Sequence, residues 1–161
     1  MVLERIVSGG QTGVDRAALD AAIARGMPHG GWCPRGRRAE DGRIPERYRL
    51  RAHHSPEYAA RTEQNVLDSD ATLVLTIGTP RNGTALTVRL AERHGRPCVV
   101  VDLEDPSDPA AVVAWLDAHA IRVLNVAGPR ESTHPGIHDL AAVFLDRVLA
   151  SDERAPSDGV R

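Results

Sequence analysis

The chain has 161 residues, enough for one domain with a substantial core and too few for two domains of ordinary size. Apolar residues make up 42% of the sequence but aromatic residues only 3%, as in a parallel sheet of aliphatic strands covered by helices. The formal net charge of -2 provides no field that would hold nucleic acid, and no apolar run approaches the roughly 20 residues of a membrane span. Composition therefore argues against nucleic acid and membranes as partners.

The first predicted elements are a strand, a tight loop and a helix. Residues 3–7 form a short apolar run, and small residues follow it from Ser8 onward. Apolar residues then recur at helical spacing from Val14 to Gly26. Residues 29–50 are rich in glycine, proline and arginine, and beyond a short strand near Trp32 they predict a long functional loop.

Strands and helices continue to alternate along the rest of the chain. Ser55 is predicted to cap a helix, with Pro56 at its first position. The later elements are expected to be helix 55–67, strand 71–77, helix 84–94, strand 97–103, a helix opened by residues 105–109 and ending at 119, strand 121–127 and helix 137–149. This alternation predicts one α/β domain over residues 1–150 with a mostly parallel central sheet flanked by helices, followed by a flexible tail over residues 151–161.

Three loops follow predicted strands at the edge where open parallel sheets bind ligands. In the first, residues 8–15, the small residues Gly9, Gly10, Thr12 and Gly13 would let backbone amides approach an anion at the start of a helix. A plain tight turn explains the same glycines, because the spacing matches neither the dinucleotide fingerprint nor a P-loop.

The second and third loops supply charge. Residues 78–84 form another glycine-rich loop, in which Arg81 offers a counter-charge and Thr84 is predicted to cap the next helix. The third loop, residues 127–132, brings Arg130 and Glu131 to the same edge. Together, the three loops predict a pocket for an anionic ligand.

Other polar residues leave alternatives open. The arginines of loop 33–43, including Arg38, suit bidentate phosphate recognition or form a solvated basic loop. His134 and His138 are four residues apart, but Pro135 between them indicates a helix start, so no metal site is predicted. Cys33 is expected to be a structural or exposed thiol, and the absence of a leader sequence with only isolated cysteines predicts a cytoplasmic protein.

Four ordered stretches carry a family resemblance that covers residues 3–149. Residues 8–18, 33–42, 62–70 and 125–132 together resemble the putative molybdenum carrier family, within the SLOG superfamily of Rossmann-like domains. The resemblance implies a Rossmann-like three-layer domain and a homo-oligomer, either a dimer or a larger assembly. It also implies a site for a nucleotide derivative or a related phosphorylated ligand, with the molybdenum cofactor or a nucleotide as candidates.

Enzymes of the same superfamily, the cytokinin-activating phosphoribohydrolases, use a motif of the form P-G-G-x-G-T-x-x-E. Residues 79–87 are similar, but Thr87 stands where those enzymes have a carboxylate. A threonine cannot offer a charged group to an oxocarbenium-like centre, so N-glycosidic cleavage would have to use Asp15 or Glu131 instead.

The leading hypothesis is a molybdenum-cofactor carrier or nucleotide sensor that binds a phosphorylated ligand at the strand ends. A nucleotide-processing enzyme and a protein-interaction module are the alternatives. The predicted ligand-binding residues are Gly9, Gly10, Gln11, Thr12, Gly13, Arg38, Arg81, Asn82, Gly83, Thr84 and Arg130, with Asp15 and Glu131 as catalytic residues if the protein is an enzyme.

Overall fold

A computed structural model describes residues 2–106 and 108–153, so most of the predicted tail lies outside the described residues. Outside residues 29–52, its helices and strands alternate as predicted. In chain order they are β1 (Arg5–Val7), α1 (Val14–Ala24), β2 (His29–Gly30), β3 (Trp32–Cys33), β4 (Arg38–Ala39), β5 (Gly42–Arg43), β6 (Arg51–Ala52), α2 (Tyr58–Leu67), β7 (Ala71–Thr76), α3 (Asn82–Arg93), β8 (Cys98–Asp102), α4 (Pro109–Ala118), β9 (Val123–Ala127) and α5 (Ile137–Glu153).

Five parallel strands form the central sheet in the order β2-β1-β9-β7-β8. After α4 the chain returns to the middle of the sheet, where Leu124 of β9 pairs with both Ile6 of β1 and Ala71 of β7. Because all strands are parallel, the loops that follow β1, β9 and β7 leave the same edge side by side. The predicted α/β fold with a parallel central sheet is confirmed.

Helices cover both faces of the sheet. Helices α1, α4 and α5 pack together on the larger core, and α2 packs with α3 over a smaller cluster that contains Val66 and Leu90. All six residues of β7 are buried, as expected for a strand covered on both faces. Helix α5 buries most of its predicted apolar face, but Leu140 is 45% exposed.

The predicted long loop contains more structure than its sequence indicated. Strands β3 and β6 pair in parallel, and β4 and β5 form a small antiparallel hairpin. The buried Arg37 guanidinium holds the segment together by donating to the carbonyl oxygens of Ile44, Pro45, Tyr48 and Leu50 at 2.9–3.2 Å. This arginine is a structural residue and is not a free phosphate ligand.

Two predicted helix caps were wrong. Helix α2 begins at Tyr58 after Glu57, while the hydroxyl of Ser55 accepts a hydrogen bond from the Glu57 amide in a turn that precedes the helix. Helix α3 begins at Asn82, so Thr84 lies in its first turn and does not cap it. Within the described ranges, no helix is long and apolar enough to cross a membrane.

Candidate ligand-binding site

A cleft of about 790 Å³ opens at the carboxyl ends of β1, β9 and β7. Its walls are the three loops that follow these strands, together with the first half of α2 and the start of α3. The predicted residues that line it are Gln11, Asp15, Arg81, Asn82, Gly83, Thr84 and Arg130. The predicted residues outside its lining are Gly9, Gly10, Thr12, Gly13, Arg38 and Glu131.

Gln11 lines the cleft, and one of the two polar atoms of its side chain, the amide nitrogen, has no hydrogen-bond partner in the described part of the chain. Its side chain is held because Oε1 accepts hydrogen bonds from the backbone amides of Thr12 at 3.1 Å and Glu40 at 2.9 Å. The residue is only 6% exposed, and its Nε2 is buried with no hydrogen-bond partner in the described part of the chain. A rigidly held donor without an acceptor is suited to a ligand oxygen.

Arg61 and Asp15 meet beside Gln11. Arg61 Nη1 lies 3.6 Å from Asp15 Oδ2, which also accepts a hydrogen bond from the Gln11 amide at 3.2 Å. Burial raises the pKa of Asp15, because desolvation outweighs the attraction of Arg61 and the hydrogen bond from Gln11. Arg61 Nε is buried and has no hydrogen-bond partner among the described residues, so the cleft holds a second unsatisfied donor.

Gly9 makes room for this arginine. A Cβ atom at Gly9 would lie 1.7 Å from Arg61 Nη1. The predicted role of Gly9 was to bring the backbone close to an anion, whereas its observed neighbour is a guanidinium that lines the cleft. Arg61 itself was missed, since one arginine within a helix belongs to no recognisable motif.

Tyr58 was also missed and forms an aromatic surface at the mouth of the cleft. The guanidinium carbons of Arg61 and Arg130 lie 5.6 and 5.4 Å from the centre of its ring. The tyrosine is 40% exposed, and Arg130 is exposed. Two cations and a ring in this arrangement can hold the planar part and the charged part of one ligand.

The start of α3 forms the facing wall. Asn82 has a positive φ of 49°, and the amides of Thr84 and Ala85 bond to the carbonyl of Arg81. The first amides of a helix have no intrahelical acceptor, so those of Asn82 and Gly83 present the positive end of the helix dipole to the cleft. A Cβ atom at Gly83 would meet nothing within 4 Å, so this side of the glycine is open.

The first loop is largely occupied with holding the site together. Its Gln11 amide bonds to Asp15, its Thr12 amide bonds to Gln11 Oε1, and the Val14 amide donates to Pro129 O at 3.3 Å. Gly13, with a φ of 80°, lies against the third loop, where a Cβ atom would be 2.4 Å from Pro129 O. These amides bond to groups of the protein itself, whereas the glycines had predicted backbone amides that are free to bind an anion.

Thr12 and Glu131 have structural partners. The Thr12 hydroxyl bonds to the Glu40 carboxylate and accepts from the Glu131 amide at 3.2 Å. The Glu131 carboxylate accepts from the backbone amides of Gly136 at 2.6 Å and His138 at 3.4 Å, at the start of α5. Glu131 therefore stabilises a helix terminus and lies outside the cleft lining.

Two other predicted residues belong to the arginine-rich segment. Gly10 faces its small core, where a Cβ atom would lie 2.5 Å from the Leu50 side chain. Arg38 is exposed on β4. Neither residue is part of the cleft lining.

The histidines and cysteines of the described residues do not cluster in a metal-binding arrangement. The described residues contain no group of three or more His, Cys, Asp or Glu side chains placed to hold a metal ion. Burial raises the pKa of the fully buried Cys33 thiol and, with the charge of Glu92, raises that of Cys98 to about 11. Both thiols lie outside the cleft lining, in agreement with a structural Cys33.

The parallel sheet and the crossover to its centre define a Rossmann-like domain, with a polar cleft at the carboxyl ends of its strands. A comparison with protein families matches residues 6–149 to the circularly permutated YpsA SLOG family. This chain is a member of that family. Among solved structures it is similar to the putative molybdenum carrier protein from Syntrophus aciditrophicus SB, with 46% identity and a TM-score of 0.88 over 92% of this chain and 96% of that one. A comparison with curated proteins finds no match.

Proposed function

We propose that the cleft binds a small phosphorylated ligand of the nucleotide or pterin type, and that the protein acts as its carrier or sensor. The observation that carries this proposal is the pair of buried donors, Gln11 Nε2 and Arg61 Nε, which lack partners among the described residues and belong to two residues that line the cleft. An unsatisfied buried donor costs roughly 1–3 kcal/mol, and a ligand oxygen would recover that cost.

The charge of the cleft favours an anion. Arg61, Arg81 and Arg130 line it together with one buried carboxyl group, Asp15, so cationic side chains outnumber acidic ones in the lining. Guanidinium groups bind phosphate oxygens with paired, charge-assisted hydrogen bonds. The backbone amides at the start of α3 add the positive end of a helix dipole. A phosphate or another oxyanion is the ligand group that these donors suit best.

The remaining space suits a ring. A volume of about 790 Å³ is within the range of roughly 300–1,000 Å³ that small-molecule sites occupy. Tyr58, flanked by Arg61 and Arg130, offers a planar contact for a base or a pterin. The name of the solved relative, a putative molybdenum carrier, supports the pterin version of this ligand.

The donor set fits the phosphate of a pterin cofactor better than direct coordination of molybdenum. The cleft is lined by N–H donors and guanidinium groups, and no cysteine is part of it. Gln11, Arg61 and Arg130 would hold phosphate or oxo groups, while Tyr58 would contact the ring. The cofactor would supply its own metal chemistry, with the protein limited to binding and orientation.

The enzyme alternative depends on Asp15. Glu131 is engaged at the start of α5, and the Thr87 hydroxyl donates to Gly83 O at 3.0 Å. Asp15 lines the cleft with a raised pKa, as expected of a general acid, and it remains the residue with which cleavage of a nucleotide would be tested. The homo-oligomeric state and the cytoplasmic location stay predictions from the sequence.

A thermal-shift panel tests the proposed site. The compounds are nucleoside mono-, di- and triphosphates, cyclic nucleotides, pterin phosphates and molybdate, each measured with wild type, Arg61→Gln and Arg38→Gln. A ligand at ~100 times its Kd adds about 2.7 kcal/mol, which should raise Tm by roughly 5–10 °C in a chain of this size. We expect this shift in wild type and Arg38→Gln, and its loss in Arg61→Gln.

Arg38→Gln is the matched control because it removes an exposed arginine outside the cleft lining. Each shift is taken relative to the same variant without ligand, so any lower stability of Arg61→Gln does not affect the comparison. A ligand-induced rise in Tm of the same size in Arg61→Gln and Arg38→Gln would mean that the ligand binds outside the cleft. No shift from any compound would reject the phosphorylated-ligand proposal and favour the protein-interaction alternative.

A further inference from the structure

A second pocket lies near the amino ends of β1 and β9, away from the ligand-binding cleft. Arg5 and Val123, which begin these two strands, are part of its lining. Its volume is about 250 Å³, and the remaining wall includes Trp32, Arg49 and Arg51. Helix α2 connects the two sites, since its first residues line the cleft and Asn65 near its other end lines this pocket.

Positive charge dominates this pocket. Arg5, Arg49 and Arg51 all line it, and none of them forms an ion pair within the described residues. The carboxylate in the lining, Asp68, already accepts hydrogen bonds from Trp32 Nε1 at 2.7 Å and Gln64 Nε2 at 2.9 Å. The lining therefore carries three arginines and one carboxylate, and the arginines are exposed.

The guanidinium groups of Arg5 and Arg51 each lie against a neighbouring residue. The Arg5 guanidinium lies against Gly30, where a Cβ atom would be 1.9 Å from its Nη2. The Arg51 guanidinium lies 5.7 Å from the centre of the Trp32 ring. Burial lowers the pKa of His29, and the charges of Arg49 and Arg5 lower it further. Because both charges lower the pKa of His29, the side chains of Arg5 and Arg49 lie in the same region of the molecule.

We propose that the pocket formed by Arg5, Arg49, Arg51 and Trp32 is a second anion site that binds a phosphoryl group. Planar guanidinium forks match phosphate oxygens, and several of them around one pocket compensate the two charges of a phosphate monoester. The volume is below the range of roughly 300–1,000 Å³ for drug-sized ligands, so the pocket accommodates the phosphoryl group and little of the molecule that carries it.

Trp32 provides a direct signal for this site. The chain has two tryptophans, so Trp115→Phe leaves Trp32 as the sole indole fluorophore. In this background we would titrate inorganic phosphate and, separately, AMP, with sodium chloride holding the ionic strength constant. We expect a saturable change in Trp32 emission, with an affinity reduced by about tenfold or more in Arg49→Gln/Arg51→Gln, because this variant removes two of the three guanidinium groups.

Arg61→Gln is the matched control, because it removes one guanidinium from the other site and should leave the Trp32 titration unchanged. Saturation by both compounds identifies free phosphate as sufficient, and saturation by AMP alone identifies a nucleoside monophosphate as the source. A change that does not saturate, or that persists in Arg49→Gln/Arg51→Gln, would overturn the proposal. If Trp115→Phe does not fold, ³¹P line broadening is measured in Arg61→Gln with and without Arg49→Gln/Arg51→Gln, since the first substitution weakens phosphate binding in the cleft; broadening that is equal in the two proteins would overturn the proposal.

Discussion

Gly13 is the residue at which the first and third loops of the cleft meet. Its φ of 80° and ψ of -128° belong to a region that side chains strongly disfavour, and a Cβ atom there would press on Pro129 O. The Val14 amide next to it donates to the same carbonyl at 3.3 Å. The glycine therefore sets how closely the loops that carry Gln11 and Arg130 approach each other.

Gly13→Ala should destabilise the protein much more than Gly26→Ala. Gly26 also has a positive φ, 64°, but a Cβ atom there meets nothing within 4 Å. A left-handed alanine costs roughly 1–2 kcal/mol, so that is the loss expected at Gly26, against ~3 kcal/mol or more at Gly13. Urea unfolding of both variants measures the difference. Equal losses would mean that the loops separate easily and that the contact with Pro129 contributes little.

At the level of single residues, the sequence indicated the loops that line the cleft but not all of the contacts that their residues make. Gln11 and Arg130 were found because they lie in loops that follow apolar strands. Arg61 and Tyr58 were missed because they lie on a helix whose position over the cleft depends on the packing of α2 against distant strands. The Thr12 hydroxyl contacts the Glu131 amide, 119 residues away in the chain, and no local pattern reports such a contact.

Among the elements, the segment from β2 to β6 depends most on one side chain. Arg37 contributes four hydrogen bonds to backbone carbonyl groups and is only 9% exposed, whereas the neighbouring Arg38 is exposed. A lysine keeps the charge but cannot reach several carbonyl groups with a planar fork. Arg37→Lys and Arg38→Lys both keep the positive charge, but only Arg37→Lys removes hydrogen bonds to these carbonyl groups.

Arg37→Lys should lower the free energy of unfolding by about 2–4 kcal/mol, because at least two buried carbonyl groups would lose their donor. Arg38→Lys, with the same change of side chain, should alter it by less than roughly 0.5 kcal/mol, as is usual at the surface. Chemical denaturation followed by circular dichroism gives both values. A small loss for Arg37→Lys would show that water or the lysine ammonium replaces the guanidinium at little cost.

The same segment shows where prediction of elements from the sequence ends. Helix α5 and strand β7 were predicted because long periodic or continuous apolar patterns report burial directly. Strands β3 to β6 have two residues each, too short for any period, and they are held by Arg37 and by the cluster of Cys33, Ile44 and Tyr48. Their structure follows from tertiary contacts, so the glycine- and arginine-rich sequence resembled a loop.

For the whole molecule, the decisive feature is the return of the chain to the middle of the sheet. Alternating strands and helices predicted parallel pairing, but the position of β9 between β1 and β7 requires a choice between several allowed topologies. That choice places the loops after β1, β9 and β7 at adjacent positions around one cleft. It also buries Asp15, at the start of α1, beneath the wall formed by α2.

The buried Asp15 should make the stability of the whole protein fall with rising pH. Its folded-state pKa is raised above the ordinary value of 3.8 by burial, so the folded chain binds more protons than the unfolded chain between these two values. The contribution of Asp15 to the free energy of unfolding therefore decreases as pH increases from about 3.8 to the raised pKa, and is constant above it. Asp15→Asn has no proton to lose and lacks this contribution.

Urea unfolding of wild type and Asp15→Asn between pH 4 and pH 8 isolates the effect, since other titrating groups are shared and cancel in the difference. The stability of the variant relative to wild type should be higher at pH 8 than at pH 4. A difference that does not change with pH would mean that Arg61 and the Gln11 amide fully compensate the burial. A trend in the other direction would mean that they stabilise the carboxylate in the folded state, and Asp15 would then be a fixed negative charge in the cleft.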